Sequence, residues 1–185
     1  MLASSFARLA AAAAAVVALA GCGGGTTTSS PSAAGGLEPK GETVSGNPVT
    51  RVVDGDTLHV RRDGRDTTVR LIGMNTPETV KENTPVECYG PEASDYAKRT
   101  LSGQTVTLEF DDSQGRTDQY GRTLAYVWLE GADGGLSLVN LDEIDLGLAR
   151  ERQYGPTPYA WKKTFRAAQD KARSAGVGLW GACPT

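Results

Sequence analysis

The chain has 185 residues, 39% of them apolar and 22% charged, with a formal net charge of −3. That length accommodates one globular domain and hardly two. The slight acidity excludes bulk positive charge as a reason to hold a polyanion, so any such site has to be local.

Residues 1–21 stand apart. Arg8 is their one charge, the run from Leu9 to Ala20 is Ala, Val and Leu, and Gly21 precedes Cys22. The run is shorter than the roughly 20 apolar residues that span a bilayer, which predicts a secretory signal peptide. Leu19-Ala20-Gly21-Cys22 also resembles a bacterial lipobox, which implies that Cys22 becomes the lipidated first residue of an exported, membrane-anchored chain. Ordinary secretion with Cys22 as a plain thiol is the alternative. Residues 22–46 are mainly Gly, Ser, Thr, Pro and Ala with almost no large apolar side chain, a composition that cannot offset its ordering entropy and predicts a disordered tether. The folded domain is then 47–185. Only Cys88 and Cys183 remain in it, and in an exported domain two leftover cysteines favour a disulfide. The loop so closed, about a hundred residues, is worth roughly 4 to 5 kcal/mol in the chain-entropy model. Two separate thiols are the alternative.

In chain order, Val52-Val53 leads into Asp54-Gly55-Asp56, and Thr57 to Arg62 alternates, Leu58 and Val60 against His59 and Arg61. Asp63-Gly64 signals a hairpin turn, and Asp66 to Ile72 is the returning strand. Gly73 follows as a bulge or a close approach of backbone. Pro91 to Leu101 has proline near its start, Glu92 in the first turn, apolar residues at helical spacing and Gly103 beyond its end, which predicts a helix. Gln104 to Phe110 and Arg122 to Glu130 alternate as strands. Ser137 to Leu146 and Pro158 to Ala175 follow as helices closed by Gly147 and Gly176, with an apolar tail through Trp180. Strands first and helices later predict an α+β domain around a small barrel.

Asp54-Gly-Asp56 offers two carboxylates at a tight turn, oxygen donors suited to a hard cation such as Ca²⁺, although such a turn is commonly no more than a turn. Arg70-Leu-Ile-Gly-Met-Asn-Thr-Pro-Glu78 places a guanidinium at one end and a carboxylate at the other. His59 falls on the polar face of its strand, where solvent is its expected neighbour. Asp111 to Asp118 lacks the spacing of an EF-hand and is expected to be a hydrogen-bonded loop. Trp128, Trp161 and Trp180 are expected in the core or satellite packing.

Taken together with Tyr89-Gly-Pro-Glu-Ala-Ser94, Glu109-Phe-Asp111 and Arg116-Thr-Asp-Gln-Tyr-Gly-Arg122, these motifs resemble, in order and spacing, the staphylococcal nuclease family over about residues 52–180. The resemblance implies an OB-fold, a five-stranded β-barrel with three α-helices, and a Ca²⁺-dependent phosphodiesterase acting on DNA and RNA. It implies Asp56, Asn75 and the Thr76 carbonyl as Ca²⁺ ligands, Glu78 as the base that activates water, and Arg70 and Arg122 as phosphate clamps. It places Tyr120, and with altered spacing Tyr154, beside the nucleotide. Asn75 stands where the best-known members carry aspartate, so the resemblance implies weaker Ca²⁺ binding with the base and clamps intact. Glu143 and Asp145 stand where members often carry an apolar and a basic residue. The domain is expected to act as a monomer. The competing reading is a catalytically weak, nuclease-like OB-fold module that binds nucleic acid or another partner at the cell envelope.

Overall fold

Strand β1, Thr43–Val52, has a partner on each side. It pairs antiparallel with β2 (Thr57–Arg62) and with β5 (Thr105–Glu109). Both registers shift along it, between Val44 and Asn47 on one side and between Val49 and Arg51 on the other, and such irregularities let one long strand bend to serve two sheets. Asn47 holds the first bend from inside, its Nδ2 donating to the carbonyls of Val44 at 2.7 Å and Val106 at 3.1 Å. The computed structural model describes residues 36–79 and 84–184. The expected signal peptide, the tether up to residue 35 and Cys22 lie outside the described residues. The tether's expected end at 46 falls inside β1. Ordered contacts begin earlier still, where the amides of Lys40 and Gly41 donate to Glu109.

From β2 the chain turns through Asp63 (φ 50°) and Gly64 (φ 74°) into β3, Arg65–Leu71, the two successive positive φ values of a tight hairpin turn. β3 pairs with β2 and, in parallel, with β6 (Thr123–Glu130), which pairs in turn with β5. The circuit β1, β2, β3, β6, β5 and back to β1 is a closed five-stranded barrel, the expected OB architecture, with β7 (Leu136–Leu138) extending the sheet from β6. Closure removes the exposed edges that an open sheet would leave. Leu58, Val60, Val69, Leu71, Val106, Leu108, Ala125 and Val127 fill the interior.

Helix α1, Gly90–Leu101, buries Ala93, Ala97 and Leu101, one face at helical spacing. The expected second helix starts two residues late, at Val139, because Leu136–Leu138 pairs with β6 as strand; α2 is Val139–Asp145. A short ladder joins β4 (Met74–Asn75) to β8 (Arg150–Glu151). The third helix, α3, spans Lys162–Ser174 rather than starting at Pro158, and buries Phe165, Ala168 and Ala172. A fourth, short helix α4, Leu179–Ala182, exceeds the expected three. Trp161 packs edge-on against Trp128 at 5.7 Å, and Phe165 against Tyr126 at 6.1 Å, so an aromatic layer joins α3 to the barrel. Gly73 (φ 79°) is the expected close approach, since a Cβ there would stand 2.6 Å from the Tyr159 ring. Cys88 and Cys183 are bonded, Cα to Cα 5.8 Å, across 95 residues. The bond ties the end of the chain to the segment before α1. Among the described residues no helix is long and apolar enough to cross a membrane.

Candidate active site

Strand register brings the charged residues together. Thr57 lies opposite Arg70 on one side of β3 and Leu124 lies opposite it on the other. Asp56 immediately precedes β2 and Arg122 immediately precedes β6, so both arrive at the barrel end that holds Arg70. Gly55 lets the turn after β4 close over them, because a Cβ there would stand 2.5 Å from Thr76 Cγ2.

Arg70 is the hub, with 8% of its side chain exposed. Nη1 donates to Asp56 Oδ2 at 2.7 Å, and Nη2 donates to the Tyr154 hydroxyl at 2.7 Å, Asn75 Oδ1 at 3.1 Å and the Met74 carbonyl at 3.2 Å. Its planar fork is thereby fixed in direction. Asp56 also accepts from the Thr76 amide at 3.0 Å and the Thr57 hydroxyl at 3.0 Å. Asp54 accepts from the Asp56 amide at 3.1 Å, and burial, reinforced by the Asp56 charge, pushes its carboxyl up to about 6.

Arg122 is held differently. Its Nε and Nη2 both meet Asp118 Oδ2 at 2.7 Å, and its amide donates to Asp118 Oδ1. Burial alone would raise the Asp118 carboxyl; the hydrogen bonds from Arg122 and from the Tyr120 amide outweigh it and hold the group below the usual carboxylate range. Tyr120 lies 74% exposed with its ring 5.3 Å from the Arg122 guanidinium. On the opposite wall, Glu78 Oε1 accepts from the Thr79 amide at 2.9 Å. The Glu78 backbone is braced both ways by Glu87, whose Oε2 accepts its amide and whose own amide donates to its carbonyl. Asp54, Asp56, Arg70, Asn75, Glu78 and Arg122 line a single cleft of about 440 Å³, with Tyr120 and Tyr154 at its edge.

Every catalytic, metal and substrate residue expected from the sequence therefore lies on this cleft, but Asn75 is used in an unexpected way. Its Oδ1 accepts from Arg70 and, at 2.6 Å, from the Tyr154 hydroxyl, while its Nδ2 donates to the Thr76 carbonyl at 3.1 Å. The two oxygens expected to share a cation thus face different partners. Tyr154, the residue with altered spacing, is accordingly joined to the clamp itself. Among the described residues no three His, Cys, Asp or Glu side chains form a metal cluster. The donors present, the Asp54 and Asp56 carboxylates and the Thr76 carbonyl, are all hard oxygens and fit Ca²⁺ in kind. Sequence reasoning missed Asp118 and Glu87, which orient Arg122 and Glu78; the first was visible only as part of an acidic loop and the second carried no signal. It also left Glu143 without a role. That side chain is wholly buried on α2 with no hydrogen-bond partner for either oxygen among the described residues. Burial first, then the charges of Asp56, Asp54 and Asp142, raise its carboxyl well above the ordinary range against the opposing pull of Arg70. His59 lies outside the cleft, bonded to Arg51 and Asp66.

A closed OB barrel whose rim gathers two fixed guanidiniums, paired carboxylates and exposed tyrosines over one cleft is built to hold an anionic phosphate ester. Comparison with known proteins agrees with that geometry: residues 68–182 match the family model described as staphylococcal nuclease homologue. Over 132 residues the chain is 46% identical to a thermonuclease of Staphylococcus hyicus, covering 71% of this chain and 73% of that one. It is 45% identical over 132 residues to a thermonuclease of Staphylococcus intermedius, covering 71% and 74%. It is also 35% identical over 130 residues to endonuclease YncB of Bacillus subtilis, covering 70% and 59%. The chain belongs to the staphylococcal nuclease family.

Proposed function

We propose that the protein is a Ca²⁺-dependent nuclease that hydrolyses phosphodiester bonds of DNA and RNA. The observation that carries this reading is the convergence of Arg70, Arg122, Asp56 and Glu78 on one cleft, supported by the thermonuclease and endonuclease relatives. Arg70 and Arg122 grip the non-bridging oxygens, where negative charge grows in an in-line displacement. Asp56 and Asp118 hold the two guanidiniums in place, so little reorganisation is needed when that charge develops. Glu78 accepts the proton of the attacking water, its carboxylate kept in position by the Thr79 amide. Ca²⁺, when held by Asp56, the Thr76 carbonyl and Asn75, supplies further positive charge to the phosphate. The Asn75 oxygen has to leave Arg70 and Tyr154 to join it, which adds a second reason for weak Ca²⁺ binding beside the missing negative charge.

The test is cleavage of single-stranded DNA by the purified protein with Ca²⁺ or with chelator. Arg70→Ala and Glu78→Gln are each expected to lower kcat on the order of a hundredfold or more. Binding without Ca²⁺-dependent cleavage would establish the non-catalytic module instead. Asn75→Asp is expected to lower the Ca²⁺ concentration for half-maximal activity, and an unchanged or higher value overturns the account of that residue. The N-terminal segment supports export and lipid attachment at Cys22, with the domain outside the cytoplasm as a monomer, and the disulfide suits that compartment. Labelled palmitate should enter the wild-type chain and not Cys22→Ser, and sedimentation should give one chain per particle.

A further inference from the structure

Three clefts adjoin one another around Tyr154 and Tyr159. The one that holds the clamps shares Arg70, Arg122, Tyr120 and Tyr154 with a second, of about 430 Å³, that adds Arg152 and Tyr159. Tyr159 is in turn a wall of a third, lined also by Lys162, Lys163 and Arg166 at the start of α3. In a chain of net charge −3, this path is a sequence of cations. Arg152, Lys163 and Arg166 are exposed and enter no ion pair among the described residues. The carboxylates nearby are largely committed: Asp118 to Arg122 and Glu151 to the Tyr159 hydroxyl, with Asp170 on the third cleft. The Tyr154 ring stands between two guanidiniums, 5.5 Å from Arg70 and 5.7 Å from Arg152. Lys162 donates to Gln153, next to Tyr154, so α3 and the tyrosine-bearing loop are fastened together. Lys163 and Arg166, three residues apart, share one helix face.

We propose that this path is a track for a single-stranded polynucleotide running away from the scissile phosphate, with Lys163 and Arg166 contacting backbone phosphates beyond Arg152 and Tyr154. Its occupant rests on the nuclease reading, while its chemistry, a row of separated cations interrupted by aromatic faces, is that of a sequence-tolerant single-strand channel. Each phosphate contact releases counterions and contributes about 0.7 to the salt dependence of binding.

The experiment uses the full chain in chelator, where nothing is cleaved, and follows fluorescence anisotropy with a long oligothymidylate and with a thymidine dinucleotide. Lys163→Ala combined with Arg166→Ala should weaken binding of the long strand on the order of tenfold and reduce its salt slope by about 1.4, two contacts' worth. Dinucleotide affinity, and dinucleotide cleavage when Ca²⁺ is restored, should stay as in the wild type. Lys98→Ala combined with Arg99→Ala, which removes the same charge from the exposed face of α1, should leave the long strand unaffected. Equal loss in the two double variants, or none in the first, overturns the track. Loss confined to binding of phosphatidylglycerol vesicles would assign the patch to a membrane and overturn it too. A wild type that binds the long strand through these residues but, with Ca²⁺ restored, cleaves neither it nor the dinucleotide would preserve the track and remove the nuclease reading.

Discussion

Two glutamates in this molecule are equally inaccessible to solvent and opposite in circumstance. Glu109, at the end of β5, accepts from the indoles of Trp128 at 2.7 Å and Trp161 at 3.2 Å, and from the amides of Lys40 at 2.7 Å and Gly41 at 3.0 Å. Glu143, on α2, has a hydrogen-bond partner for neither oxygen among the described residues and faces Asp56, Asp54 and Asp142, with Arg70 an opposing cation and Tyr96 on α1 also within its field. Burial alone therefore says little about what a carboxyl group does for a fold. At one position it is a fastener that draws the N-terminal arm and the start of α3 onto the barrel. At the other it is a cost carried beneath the active site.

Substitution should separate the two sharply. Glu109→Ala leaves two buried indoles and two amides without their acceptor, and is expected to destabilise the domain by about 3 to 5 kcal/mol in urea unfolding. A loss below about 1 kcal/mol would erase the distinction. Glu143→Leu should act in the other direction, raising stability by about 1 to 3 kcal/mol at neutral pH by replacing an unpartnered polar group with an apolar one. Its pH dependence carries the sign. The folded state raises the Glu143 carboxyl above its unfolded value, so its contribution is fully present below the ordinary carboxylate range and declines as pH climbs toward the raised value. The decline should reach about 1.4 kcal/mol per pH unit. In Glu143→Leu the limb should shrink to the part below about pH 6 that the raised carboxyls of Asp54 and Asp142 contribute, and an undiminished decline above pH 6 would assign it to another group. The smallest effect is expected from Glu143→Gln, which keeps the shape and an unpartnered amide. Its stability near pH 5 should stay within about 1 kcal/mol of the wild type, while its pH limb should shrink as in the leucine variant.

Much of this structure was legible in the sequence, and the reasons are local. The alternation of Thr57 to Arg62 and the Asp63-Gly64 turn gave a hairpin that the structure reproduces. The motif from Arg70 to Glu78 gave most of the cleft, because strand and turn carry those residues on one short segment. Strand β1 was not legible. Its Gly46 and Pro48 mimic a linker, and its first half is recognisable only through β5, a partner about 60 residues away in sequence. The same holds for Glu109, whose donors come from residues 40, 41, 128 and 161. Asn75 was legible as a departure but not in its use, since Tyr154 reaches it from 79 residues away.

The parallel pairing of β3 with β6 bears on how the protein folds. It is the one parallel pairing among the described strands, and it joins Val69 to Thr123 across the intervening β4, α1 and β5. Contacts so far apart in sequence are slow to form, because loop-closure entropy must be met before they contribute. Arg70 rides on one partner and Arg122 sits at the threshold of the other. A nascent chain with its first hairpin complete but its barrel open carries Arg70 and Arg122, the proposed phosphate clamp, on two separate pieces. Assembly of the cleft therefore requires that long-range pairing, and a molecule that lacks it does not bring Arg70 and Arg122 together.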